Sequence, residues 1–334
     1  MKFKKLVYGI FISVFLISTS IFAKDYEKLA QTGFQFLSVN TYARGTAMGG
    51  AMTTVMDIGS GALFFNPAGL ALSENRADVS LSQNNWIADI KHNSLSASFK
   101  PLGGQLGVIG ISAISVDYGK MQGTMTWNND KGYIDTEILQ PSALSFGLGY
   151  AKELSTKFSV GGQVKYAGQN LGQSVVEVEK TDSLGVAKYK EFATAFDFGT
   201  LFRTGWESIV FGMSIRNFSN EIRFEDEGFQ LPLTFHIGLS MDVLDFVPIH
   251  SGTHNLFLSV DAVHPRSYPE YANLGLEYSL NDVFYLRYGY MGNRDERSSS
   301  FGLGIEKFGL SFDYSYMPFG VFEETQCFTL NFAL

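Results

Sequence analysis

The chain has a single cysteine, Cys327, and only 8 prolines in 334 residues. One cysteine excludes an internal disulfide, and none stands near the end of the leader to carry a lipid anchor, so Cys327 reads as a small hydrophobe. Charged residues are scarce at 17%, and they carry no basic excess. The formal charge is −8, and Lys2, Lys4 and Lys5 sit in the first few residues. Nucleic acid is therefore not an expected partner, since phosphate recognition needs a basic face. Beyond the leader, no apolar run approaches the roughly 20 residues of a membrane-crossing helix. The leader itself, residues 1–23, reads as a cleaved signal peptide. Its lysines precede an apolar core from Leu6 to Ile17, and Ile21-Phe22-Ala23 forms the cleavage site.

Glycine, phenylalanine and tyrosine are abundant (35, 30 and 16 residues), while the mean hydropathy is only +0.04. From Ala77 to Leu334 the chain alternates apolar and polar residues in short runs separated by turns. Successive side chains of a strand point to opposite faces, so each run has one greasy face and one wet face. The pattern continues to the end, where Phe328, Leu330, Phe332 and Leu334 alternate with Thr329, Asn331 and Ala333. A protein that enters a membrane with strands must close them, because an open sheet edge cannot be satisfied in hydrocarbon. The expectation is an all-β, antiparallel transmembrane barrel in the outer membrane of a diderm bacterium. Its surroundings would be outer-membrane lipid and lipopolysaccharide, and its C-terminal strand Phe328–Leu334 would be the segment offered to the barrel-assembly machinery.

Fourteen alternating segments are countable, the first at Val79–Trp86 and the last at Gln326–Leu334. Connections after odd strands are mostly long, as in Asp117–Ser142 and Ala167–Glu191. Those after even strands are mostly tight, as in Asn281–Asp282 and Phe308–Gly309; Asp242–His254 departs from this parity. Short turns belong to the periplasm and long loops to the outside. Charges fall on the inner face: Lys165, Asp197, Arg203, Arg216, Asp261, Glu277, Arg287, Glu306 and Asp313. The third segment, around Leu106–Val116, is apolar on both faces, which calls for an internal element to pack against it.

A barrel of about eight strands is filled by its own side chains, but one of fourteen is not. Residues 24–76 are the candidate plug. They include small residues from Gly45 to Ala51, read as the start of a helical stretch reaching Met56. Asn66-Pro67 then reads as a turn opening a short helix that ends at Gly69. Within this segment the stretch FLSVNTYARGTAMGGAMTTVMDIGSGALFFNPAGLA (Phe36–Ala71) resembles the N-terminal signature of the PorV/PorQ family. That family is a branch of the FadL-like (long-chain fatty-acid transporter) barrels. The resemblance implies fourteen strands and an N-terminal hatch folded into the lumen. It marks Arg44, Met48, Gly49, Gly50, Phe64, Asn66, Pro67 and Gly69 as plug residues. Asp261, Glu277, Arg287, Glu306 and Asp313 are candidate lumen charges that hold the plug or line a path, with Arg44 as their partner.

For function, the resemblance implies transport across the outer membrane, in the PorV/PorQ branch together with secreted proteins or secretion components. A FadL-like channel for a hydrophobic ligand such as a long-chain fatty acid is the first alternative. It requires an apolar pocket near Leu63–Phe65. A structural barrel with a sealed lumen is the second. Catalysis has little support: His236 faces inward with Ser240 and Ser214, but no motif ties them together. The five histidines (His92, His236, His250, His254 and His264) lack metal spacing, so neither a metal nor another cofactor is expected. Gly147-x-Gly149 and Gly302-x-Gly304 lie inside strands without a following helix and read as space for a plug rather than phosphate loops. Loop Asp117–Ser142, with Met121, Met125, Trp127 and Tyr133, and the acidic tip Glu221–Glu227 read as external surface.

Overall fold

In the computed structural model, the described residues are 32–178, 183–224, 228–246, 253–293 and 298–334. The signal-peptide reading (1–23), the start of the plug segment (24–31) and part of the acidic tip fall outside them. Fourteen strands close into one antiparallel barrel. They are β1 Ala77–Asn85, β2 Lys91–Phe99, β3 Val108–Asp117, β4 Ser142–Ser155, β5 Phe158–Val178, β6 Ser183–Arg203, β7 Val210–Ser219, β8 Thr234–Asp242, β9 His254–Pro265, β10 Tyr271–Leu280, β11 Phe284–Met291, β12 Ser299–Lys307, β13 Leu310–Pro318 and β14 Glu324–Ala333. Each strand pairs with its sequence neighbours. The seam is made by β1 against β14, from Asp78↔Ala333 to Asn85↔Gln326.

The alternation sorts the faces as lipid demands. Leu81, Leu95, Ile111, Leu148, Leu286, Leu303 and Phe332 are exposed outward, whereas Ser80, Ser96, Ser112, Ser259, Ser300 and Thr329 are buried within. A base on the lipid face would cost about 2–4 kcal/mol at the midplane. Small polar side chains inside leave room for other chain to dock. The double-sided apolarity of β3 has this cause. Its inward Val108 packs with Leu63 and Leu70 of the N-terminal segment, and its inward Val116 with Phe34, Phe36 and Leu37.

The stretch Ala167–Glu191 is not a loop. Strands β5 and β6 continue through it in register, with an irregularity at Asn170/Gly172 where Gly172 has φ +102°. Both strands therefore run to 21 residues and rise above the barrel. Asp117–Ser142 likewise contains its own hairpin, Met121–Thr126 paired with Tyr133–Leu139. Cross-strand pairing satisfies the backbone of both segments without burying them, so polar turn-like composition does not prevent strand formation. These projections define the outer end. Arg76 and Ala77 bond to the carbonyl of Leu334 at the opposite end, which also carries the short turns.

The N-terminal segment lies inside the barrel. It contains one short α-helix, α1 (Ala43–Ala47), and 3-10 turns at Gln35–Ser38, Gly59–Phe64 and Pro67–Leu72. The expected helix through Met56 stops at Ala47 because Gly49 and Gly50 take φ +63° and +79°, outside the helical region. Past Asn66-Pro67, the turn runs to Leu72 rather than ending at Gly69. Tyr42, Met48, Met52, Val55, Leu63, Phe65 and Leu70 form a small apolar core within the lumen that the wall residues Val108 and Ala151 complete.

Candidate functional site

The plug is seated in hollows left by missing side chains on the wall. A Cβ on Gly289 would lie 2.1 Å from the Gly49 amide nitrogen, and one on Gly302 would lie 2.4 Å from the Ala47 methyl. Met48 and Gly49 thus press against bare backbone of β10 to β12. On the other side, a Cβ on Gly199 would strike Asn66 Oδ1 at 1.8 Å, and one on Gly161 would meet the Pro67 carbonyl at 2.5 Å. Gly149 makes room for Leu63 and Gly304 for Arg287, so both Gly-x-Gly stretches serve packing.

Asn66 is the anchor of this second seat. It is buried, donates from Nδ2 to the carbonyls of Thr53 (2.7 Å) and Thr200 (3.1 Å), and accepts at Oδ1 from the Ala68 amide (3.1 Å). The last bond caps the turn that Pro67 opens. Gly69 packs on Ala62 and the Val55 carbonyl.

Charge holds the first seat. Arg44 of α1 donates to Glu277 of β10 through Nε (2.8 Å) and Nη2 (2.7 Å), and to Asp57 of the plug through Nη1 (3.1 Å) and Nη2 (3.2 Å). Arg287 of β11 joins the same Glu277 and also donates to Asp313 of β13 at 2.5 Å. Glu277, Arg287, Asp313 and Arg44 are buried. Two of the expected lumen charges stand apart from them. Asp261 does not pair with Arg44; its Oδ2 accepts from the Met52 and Thr53 amides (both 3.1 Å) and from Thr53 Oγ1 (2.7 Å), clamping plug backbone instead. Glu306 is exposed near the lower mouth, with only a long bond from the Tyr285 hydroxyl (3.4 Å). It lies two residues beyond Gly304, the position paired with Asp313, too far down the strand to enter the cluster.

The main opening lies above the plug, at the outer mouth. A cavity of about 720 Å³ is lined by Gln35, Trp86, Arg216, Tyr268, Tyr271 and Phe319, among others. Trp86 and Phe319 meet edge to face at 5.3 Å. Below it the lumen narrows to a cavity of about 40 Å³ beside Gly49, Gly50, His236 and Asn273, and another of about 30 Å³ beside Leu63, Phe64, Phe65 and Lys165. Each is room for a water or two. The pocket required near Leu63–Phe65 is therefore displaced upward, because Leu63 fills hollows at Gly110 and Gly149 and Phe65 fills the space over Gly45.

Arg216 is the residue the sequence reading undervalued. It was visible as one inward charge among nine, but nothing in a strand pattern marks its position. It lines all three cavities. Its Nη1 donates to the Phe64 carbonyl (2.7 Å), and its Nη2 lies 3.0 Å from His236 Nε2. His236 thus faces an arginine, and neither Ser214 nor Ser240 bonds to it, so these residues form no serine–histidine pair. His254 bonds to the Tyr278 hydroxyl at 2.5 Å. Among the described residues, no group of three or more His, Cys, Asp or Glu side chains could hold a metal.

A closed fourteen-strand barrel with an apolar outer face, a polar inner face and a docked internal segment defines a plugged outer-membrane β-barrel. Solved structures share this fold. The monoaromatic hydrocarbon channel CymD aligns with TM-score 0.60 at 12% identity, covering 89% of this chain and 98% of its own. The Pseudomonas putida toluene transporter TodX aligns with TM-score 0.58 at 13% identity, covering 87% and 96%. A Pseudomonas aeruginosa FadL homologue aligns with TM-score 0.53 at 12% identity, covering 88% and 98%. No protein-family model matches the chain, and no curated protein matches it.

Proposed function

We propose that this protein is an outer-membrane channel for hydrophobic small molecules, which it admits from outside and passes by movement of its plug. The observation that carries this reading is the aromatic-lined cavity of about 720 Å³ standing directly over a plug held in glycine hollows. A cavity of that size suits a compact organic ligand, and the barrel fold matches those of hydrocarbon channels. Native mass spectrometry of protein extracted in mild detergent from its own membrane tests it. A bound small apolar molecule supports the channel. A stoichiometric protein partner with no such molecule overturns it.

That second outcome would favour the secretion role implied by the PorV/PorQ-like stretch. The feature in its favour is the outer hairpin, where Met121, Trp127 and Tyr133 are all exposed in a position to meet another protein.

A further inference from the structure

Among the described residues, the lining of the vestibule contains two arginines, Arg216 and Arg266, and no carboxylate, in a protein whose formal charge is −8. The other buried cations of the lumen are matched: Lys165 meets Asp197 at 2.8 Å, and Arg44 and Arg287 share Glu277. Arg216 is different. Among the described residues it forms no ion pair; its contacts are the Phe64 carbonyl and the His236 ring, and its Nε is buried without a hydrogen-bond partner. Asp197, which lines a small cavity with it, pairs with Lys165 and accepts from the Asn217 amide (2.7 Å), and Asp261 has given its Oδ2 to three plug donors. A guanidinium that lines a cavity and has no carboxylate partner among the described residues is placed to meet an anion, and its planar fork suits a carboxylate.

The walls above it specify the rest of the ligand. Trp86, Tyr268, Tyr271 and Phe319 surround the space, and the cavities beneath Arg216 are too small to take an organic body. We propose that Arg216 is an anion-recognition residue and that the vestibule binds aromatic carboxylates, with the ring among these side chains and the carboxylate on Arg216. The proposal rests on the channel reading and narrows its ligand class. It also gives binding a physical link to the plug: a carboxylate on Arg216 competes with the Phe64 carbonyl, the bond that ties this arginine to the plug.

The test is equilibrium binding of three probes to the detergent-purified full chain: 2-naphthoate, its neutral counterpart 2-methylnaphthalene, and laurate. Each is measured on the wild type and on the R216Q and R216K variants, with Trp fluorescence as one readout. The expected result is that naphthoate binds at least tenfold more tightly than 2-methylnaphthalene. R216Q, which keeps a donor for Phe64, loses that preference while still binding the neutral probe. R216K restores the preference by restoring charge. Equal binding of the two naphthalenes, or an R216Q variant that keeps the preference, overturns the anion site and leaves the channel reading intact. Laurate bound through Arg216 with naphthoate excluded overturns the aromatic class. Failure of all three probes to bind overturns both the proposal and the channel reading beneath it.

Discussion

Arg44 and Glu277 are separated by 233 positions in the chain, yet they meet through two hydrogen bonds of 2.8 and 2.7 Å, joining the plug to the tenth strand. Glu277 serves Arg287 as well, so one carboxylate neutralises a plug cation and a wall cation together. Replacement by glutamine leaves two buried guanidinium groups with less acid than they need. The expected loss is about 3–5 kcal/mol, the usual cost of breaking a buried pair from one side. The midpoint of heat-induced unfolding, followed by the mobility shift of folded and unfolded barrel on gels, should fall in E277Q. An unchanged midpoint would show that the cluster does not hold the plug.

Asn66 satisfies three backbone groups at once. Asn66→Ala strands the Thr53 and Thr200 carbonyls and the Ala68 amide, for an expected cost of about 2–4 kcal/mol. The barrel ladder does not depend on these bonds. The effect should appear as faster hydrogen exchange confined to residues 53–70, with the strands still protected.

Gly289→Val is the sharper probe of plug seating. Valine suits a strand, but its Cβ would lie 2.1 Å from the Gly49 nitrogen. The barrel should assemble, and the plug should be displaced. In planar bilayers the variant should conduct ions well above the wild type, because fourteen strands enclose more space than their own side chains fill. Wild-type conductance in a correctly folded variant would mean that the plug yields elsewhere.

The seam of the barrel depends on the last residues. Phe332 pairs with Val79, Leu330 with Leu81 and Phe328 with Gln83. Deleting Phe328–Leu334 removes most of the partner of β1 and leaves two open edges, which hydrocarbon does not tolerate. The truncated chain should fail to accumulate in the outer membrane, as membrane fractionation would show.

Some of this molecule was legible residue by residue. A stretch of each of the fourteen barrel strands followed from side-chain alternation, because the period-2 geometry of a strand is local and lipid enforces it on one face. The double-sided apolarity of β3 pointed to an internal partner for the same reason. The ends of β5 and β6 were not legible, since Gly168, Gln169, Asn170 and Gly172 have turn composition, and their strand state comes from the cross-strand ladder rather than from propensity. The plug helix was overextended because small residues favour helix until Gly49 is pressed against Gly289, a contact no local rule supplies.

Sequence alone therefore determined the class: strands with one apolar face, too many of them for a self-filled barrel, and a preceding segment rich in small residues. Only the tertiary structure decided which inward charges meet. Glu277 took Arg44, Asp261 took the plug backbone, Glu306 stayed at the mouth, and Arg216 found no carboxylate partner among the described residues. The physical reason is one of range. Alternation is written in bond geometry between neighbours, whereas partnership across a lumen depends on barrel closure, strand register and the path of the plug, which bring together residues hundreds of positions apart.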